Sequence, residues 1–172
     1  MSERVLEVND LHVSFDITAG EVQAVRGVDF YLNKGETLAI VGESGSGKSV
    51  TTKAITKLFQ GDVGRIKKGK IDFLGEDLAT KSESELIKLR GKDISMIFQD
   101  PMTSLNPTMQ IGKQVMEPLI KHKNYSKSEA KKRALEILNL VGLPNAEKRF
   151  KAFPHQFSGG QRQRIVIATA LA

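Results

Sequence analysis

The run Gly42–Ser49, GESGSGKS, constrains this chain more than any other stretch, because it meets G-x-x-x-x-G-K-[ST] at every fixed position. Gly42, Gly45 and Gly47 let the backbone curl until successive N–H groups point inward, a geometry that suits phosphate oxygens. Glu43, Ser44, Ser46 and Val50 complete the backbone cradle. Lys48 is placed to reach β- and γ-phosphates as a point charge, and the Ser49 hydroxyl is placed as a Mg²⁺ ligand. The flanks agree with that reading. ETLAIVG (Glu36–Gly42) is a continuous apolar run, expected as a strand buried on both faces. A helix is expected from Lys48 to about Phe59, offering its positive N-terminal end to an anion. The loop leaves the reaction open among small-molecule kinases, GTPases, DNA motors and transport ATPases. No N-K-x-D guanine-reading run occurs, which removes GTPases.

With 172 residues, 40% of them hydrophobic, the chain can bury one ordinary core. It has no cysteine, so disulfides, thiolate metal sites and a cysteine nucleophile are excluded. The first residues lack the apolar block of a signal peptide, and TLAIVG and IVIATALA are too short to span a membrane. The expectation is a soluble, cytoplasmic protein whose membrane association is peripheral. A net charge of +6, from 26 basic and 20 acidic residues, fits either an anionic partner or a solvated basic surface.

VLEVNDLHVSF and EVQAVRGVDFYL alternate as strands around DITAG, a hairpin turn, and GKIDFLGEDL reads as a further strand with a turn. From about Lys81 the texture becomes helical. Ser82–Glu85 and Ser126–Glu129 fit Ser-x-x-Glu capping boxes. The second opens a helix with Ala130, Ala134, Leu138 and Val141 on one face, stopped by Gly142 and Pro144. Between these helices Asp93–Pro101, DISMIFQDP, reads as a strand entering a loop. The expected organisation is a β-subdomain with the phosphate loop over about 1–80, a helical part over about 81–157, and a closing turn with its helix over 158–172.

That closing turn is FSGGQRQR, Phe157–Arg164. Ser158-Gly159-Gly160-Gln161 satisfies a Ser-x-x-Gln capping box, so a helix start accounts for part of it. Two features exceed a plain cap. Glycine in a helix costs up to about 1 kcal/mol relative to alanine, and Arg162 and Arg164 bring positive charge to the end of the helix that favours carboxylates. Both fit a turn that faces phosphate, with Ser158 donating a hydrogen bond and the glycines permitting close approach.

FSGGQRQR resembles the signature motif of ABC-type ATPases. The resemblance implies an α/β fold: a P-loop NTPase with a RecA-like core and N-terminal antiparallel β-subdomain, plus the ABC helical subdomain. It also implies a head-to-tail pair of nucleotide-binding domains, in which Ser158, Gly159, Gly160 and Gln161 close over ATP held by the partner. MIFQD resembles the Q-loop, which makes Gln99 a contact of Mg²⁺ or the attacking water and the link to a transmembrane permease. LHVSF resembles the loop that stacks an aromatic ring on adenine, a role that falls to Phe15. GEVQAVRGVDFYLNKGETLAIVGESGSGKSVT, FQDPMTSLNPTMQIG and FPHQFSGGQRQR are together similar to ATP-binding subunits of bacterial oligopeptide and dipeptide importers, with nickel importers close by. Phe157 replaces the usual leucine as apolar anchor. The implied ligands are ATP and Mg²⁺. The implied partners are a second ATPase subunit, identical or paralogous, and permease subunits, with no nucleic acid.

The family pattern continues with a strand ending in an Mg²⁺-binding Asp, a catalytic Glu and a switch His. No such run occurs: KIDFLGEDL precedes the Q-loop, and His12, His122 and His155 are misplaced. The chain is therefore expected to be truncated before Walker B, to bind ATP without efficient hydrolysis, and to leave the phosphate-loop strand with an open edge. A DNA-repair or chromosome-organising ABC ATPase shares both motifs but needs a long coiled coil or zinc module between them. A small-molecule kinase needs an Arg-bearing lid. A non-hydrolysing nucleotide-binding module is the alternative for the chain by itself.

Overall fold

The computed structural model describes residues 3–59 and 63–172, and divides the chain into two compact units that meet in sequence at Leu86 and Ile87.

The first unit is built on strand alternation. β1 (Arg4–Ile17) and β2 (Gly20–Asn33) form an antiparallel hairpin closed by the two residues Thr18 and Ala19. β3 (Gly64–Phe73) pairs with the other edge of β1, and the short β4 (Glu76–Asp77) pairs with β3, so the strand order is β2-β1-β3-β4. Val8, Leu11 and Val13 of β1, Val25 of β2 and Ile71 of β3 are buried and, with Leu78, Ala54 and Leu86, make this unit's core. Each of the valine, leucine and isoleucine side chains among them contributes about 1.5–3 kcal/mol by leaving water. The register breaks where Val13 faces Val25 and Ser14 faces Gln23, leaving Ala24 as the extra residue of a bulge. α1 (Lys48–Ile55) follows the glycine loop and ends four residues short of the expected Phe59, where Lys57 takes a positive φ of 50°.

Two expected strands are absent as such. Residues 36–42 form no ladder, and Leu38, Ile40 and Val41 are exposed, Val41 by 87%. Residues 93–100 make only an isolated bridge between Arg90 and Ile94, with Ile97 and Phe98 exposed. A strand is a property of pairing as much as of sequence. Apart from the bridge at Ile94, neither apolar run joins a strand ladder among the described residues, so neither becomes a strand.

The second unit is helical. It contains α3 (Pro101–Ser104), α4 (Ile111–Lys123), α5 (Lys127–Leu140), α6 (Ala146–Arg149), a 3-10 turn at Pro154–Gln156 and α7 (Gly159–Leu171), while α2 (Glu83–Leu89) spans the division. Ile111, Val115 and Leu119 recur every four residues on α4, and Ala130, Ala134, Ile137 and Leu138 form the matching stripe on α5. These faces enclose one core with Ile165, Val166 and Ala168 of α7. Val141 packs against that core, and Gly142 at φ 74° closes α5. Among the described residues no helix is long and apolar enough to cross a membrane.

Candidate functional site: two glycine-bearing helix starts

The phosphate loop is held open by its backbone. Gly45 and Gly47 sit at φ 83° and 88°, conformations that side chains with a Cβ rarely adopt. Gly47 is also pressed against the sheet, because a Cβ there would lie 2.6 Å from the Ala24 carbonyl oxygen at the β2 bulge. The bulge and the glycine thus fit each other and fix where α1 begins. Gly47 is the N-cap of α1, and no side chain caps the helix. Its first-turn N–H groups therefore face the loop rather than a carboxylate or hydroxyl. Lys48 folds over the same loop: its ammonium donates to the carbonyl oxygens of Gly42, at 2.7 Å, and Glu43, and to the Ser46 hydroxyl. Ser49 is exposed and Val50 half-buried on the first turn. A cation, a run of glycine-shaped backbone and a bare helix N-terminus converge on one concave turn. That donor set suits a multiply charged phosphate chain with its counter-cation.

The closing turn is built differently. Ser158 is the N-cap of α7: its Oγ accepts from the Gln161 N–H, and the Gln161 carboxamide accepts from the Ser158 N–H at 3.3 Å. The expected capping box is present, and a hydroxyl that accepts through oxygen still carries a proton to donate. Gly159 and Gly160 have no positive φ, and a Cβ on either would meet nothing within 4 Å. Among the described residues no contact requires glycine at either position. The bare backbone leaves open space in front of the first turn of α7.

A second capping box offers a control in the same unit. At α5 the Ser126 N–H and hydroxyl donate to the Glu129 carboxylate at 2.9 and 2.6 Å. The Ser126 hydroxyl, followed by its backbone N–H, holds that carboxyl below the usual glutamate range. α5 therefore spends a negative charge on its positive end, the ordinary arrangement. α7 closes the same box with a neutral carboxamide and leaves its dipole uncompensated.

The two arginines of the first turns of α7 have partners in their own unit. Arg162 donates to the Pro154 carbonyl oxygen at 2.8 Å and to that of His155, and Arg164 donates to the Gly142 carbonyl just beyond α5. Both donate to backbone oxygens of their own unit, Arg164 while remaining exposed, so their charges also serve packing and the C-terminal end of α5.

Phe15 lies half-buried on β1 opposite Val22, edge-on to Phe59 with ring centroids 6.0 Å apart. Its register place is two residues along the hairpin from the Ala24 bulge that supports Gly47. Gln99 is exposed in the unpaired segment ahead of α3. Among the described residues no cluster of three or more His, Cys, Asp or Glu side chains forms a metal site.

Comparison with known proteins decides what this pair of turns belongs to. The ABC transporter family model matches residues 25–172, which contain both turns. The chain belongs to the ABC transporter family. It is 64% identical over 169 residues to the oligopeptide transport ATP-binding protein OppD of Bacillus subtilis (strain 168), a match covering 98% of this chain and 47% of that protein. It is 58% identical over 171 residues to the dipeptide transport ATP-binding protein DppD of Lactococcus lactis subsp. cremoris (strain MG1363), covering 99% and 49%. The chain spans about half the length of the curated relatives it matches. Among solved structures, a dimeric ATP-binding cassette in a post-hydrolysis state bound to ADP and Pi matches with a TM-score of 0.85 and 30% identity, over 97% of this chain and 69% of that one. The fold class expected of an ABC cassette therefore holds, although the two unpaired segments do not form ladders here.

Sequence reasoning passed over the residues that fasten the closing turn. Arg149 at the end of α6 donates to the Gln161 and Gln156 oxygens, and the start of α4 grips the segment between them through Ile111 N–H to Ala152 and Gly112 N–H to Phe150. Gly112 leaves room for the Phe150 ring, 2.3 Å from where its Cβ would stand. A glycine in the first turn of α4 was the one available signal, and it has no motif around it.

Proposed function

We propose that the chain carries the ATP-binding elements of an ATPase subunit of a bacterial peptide importer. The observation that bears most weight is the pairing of two unlike helix starts. One is a glycine-shaped loop whose lysine lies within it. The other is a neutral cap with bare glycines and an uncompensated dipole.

In this reading the loop Gly42–Val50 wraps the phosphates with its N–H groups, Lys48 exchanges its loop carbonyls for β- and γ-phosphate oxygens, and Ser49 offers its hydroxyl to Mg²⁺. Mg²⁺, when bound, neutralises charge developing on the phosphates. Phe15 takes the adenine face, and Gln99 meets the metal or the attacking water and relays closure to a permease. Ser158 and the N–H groups of Gly159, Gly160 and Gln161 close over the γ-phosphate of ATP held by a second subunit, identical or paralogous. The names of the relatives support peptide cargo, and the ADP- and Pi-bound dimer supports closure between two cassettes. Such a subunit works at the cytoplasmic face of the membrane, held there by its permease.

The test is calorimetric titration of Mg-ATP into the full-length protein and its Lys48→Ala variant. Binding that depends on Lys48 supports the assignment, and equal affinity in both removes it.

A further inference from the structure

The Arg149 guanidinium makes three contacts that converge on the closing turn. Its guanidinium lies over the Phe157 ring, 3.9 Å from the centroid. One terminal nitrogen donates to the Gln156 carbonyl oxygen at 2.7 Å, and the other to Gln161 Oε1 at 3.3 Å. That Oε1 also accepts from the Ser158 N–H, so one carboxamide oxygen joins the capping box to the arginine. Phe157 is buried and precedes the exposed Ser158, which places the stacked plane at the base of the turn.

Arg149 is itself anchored. Its N–H donates to the Asn145 carbonyl at 3.1 Å and its carbonyl accepts from Ala152 at 2.9 Å. Phe150 is buried beside Gly112, and its carbonyl accepts from that residue's N–H at 3.0 Å. A fixed backbone thus presents a planar fork, and the fork grips the turn at its base and at its carboxamide. The grip has an electrical side as well. It polarises Gln161 toward its oxygen and adds positive charge behind the turn without placing a charged atom in front of it.

We propose that Arg149 is a positioning residue for the signature turn, holding the Gln161 carboxamide and the Phe157–Ser158 link so that the Ser158–Gln161 donors are preset for a phosphate brought by a partner. This rests on the closing-turn reading above and adds the residue that makes the turn competent. Lysine keeps the charge at this place but has neither the plane to stack nor the fork to reach both oxygens.

The experiment uses the full-length protein and Arg149→Lys, with Phe157→Leu as a second variant that removes the ring and keeps an apolar anchor. Two quantities are measured: hydrogen exchange at the Ser158–Arg162 amides without nucleotide, and self- or partner association driven by Mg-ATP. In Arg149→Lys the turn amides should exchange about tenfold faster, while α5 and the interior of α7 are unchanged. ATP-driven association should weaken by about tenfold, with Mg-ATP affinity at the Lys48 loop unaltered. Phe157→Leu should show the same pattern at smaller size. Unchanged exchange at the turn overturns the proposal, as does faster exchange spread through α5 and α7. Faster exchange confined to the turn with association intact overturns the functional part. If the wild-type protein does not associate on Mg-ATP, the closing-turn reading falls, and the exchange comparison still decides whether Arg149 holds the turn.

Discussion

The two turns at Gly42–Ser49 and Ser158–Gln161 both place glycines at a helix start, and they use them for opposite reasons. In the first, backbone and neighbours demand glycine: φ is 88° at Gly47, and the Ala24 carbonyl oxygen stands 2.6 Å from a would-be Cβ. In the second, nothing in the fold demands it at Gly159 or Gly160. The first turn is shaped by its own molecule, and its lysine is satisfied by its own carbonyls. The second is finished as a helix cap and still carries an unexplained openness. What the contrast teaches is that a binding motif can be read by subtraction. Whatever local stability does not account for is where a ligand is to be sought.

The contrast is easiest to break at the lysine. Lys48→Ala removes the one cation of the loop and should weaken Mg-ATP binding by about 10- to 100-fold, the size of a charge-assisted contact of roughly 1.5–3 kcal/mol. Calorimetry on the full-length protein reads it. Next come the glycines as a pair. Gly47→Ala should destabilise the β-rich unit by about 1–3 kcal/mol, through strained φ and the clash with Ala24. Gly159→Ala should leave thermal stability level or raise it by up to about 1 kcal/mol, because alanine favours the helix, while weakening ATP-driven association. Equal loss of stability in both variants would erase the distinction drawn here.

Gln161→Glu sharpens it further. The carboxylate preserves the box and suits the helix dipole, adding about 0.3–1 kcal/mol to α7. It also sets a negative charge against the incoming phosphate, so association should fall as stability rises. Denaturant melting and sedimentation measure the two together.

The smallest effect expected is with acid. Glu129 titrates below the usual glutamate range because the Ser126 hydroxyl and N–H stabilise its charged form. Its contribution is therefore present above the ordinary glutamate value and is lost as pH falls through the lowered one. The α7 box has no carboxylate and should be indifferent over that window. Amide exchange at the starts of α5 and α7 distinguishes them, and parallel loosening of both would contradict the assignment of charge.

Much of this was legible before the structure. GESGSGKS carries its geometry in its glycines, and the Ser126–Glu129 box and the alternation of β1 and β2 are local signals that the fold obeys. Ile40 and Phe98 were not legible in the same way. An apolar run says that a segment can be buried, while burial depends on a neighbour elsewhere in the chain. The targets of Arg162 and Arg164 at Pro154 and Gly142 were hidden for a related reason, since they are tertiary contacts that no spacing announces. Arg149 was invisible because its three contacts are made by residues seven, eight and twelve positions on, and they meet only once the 3-10 turn folds the chain back.

The central claim is that the Ser158–Gln161 turn meets a nucleotide it does not itself hold. Hydrogen exchange at those four amides, in the full-length protein within its assembled complex, tests it most directly. The turn should become clearly protected when Mg-ATP is added, weakly or not at all with Mg-ADP, while the start of α5 stays constant. Exchange at the turn that is the same with and without Mg-ATP would contradict it and leave FSGGQ as a helix cap alone.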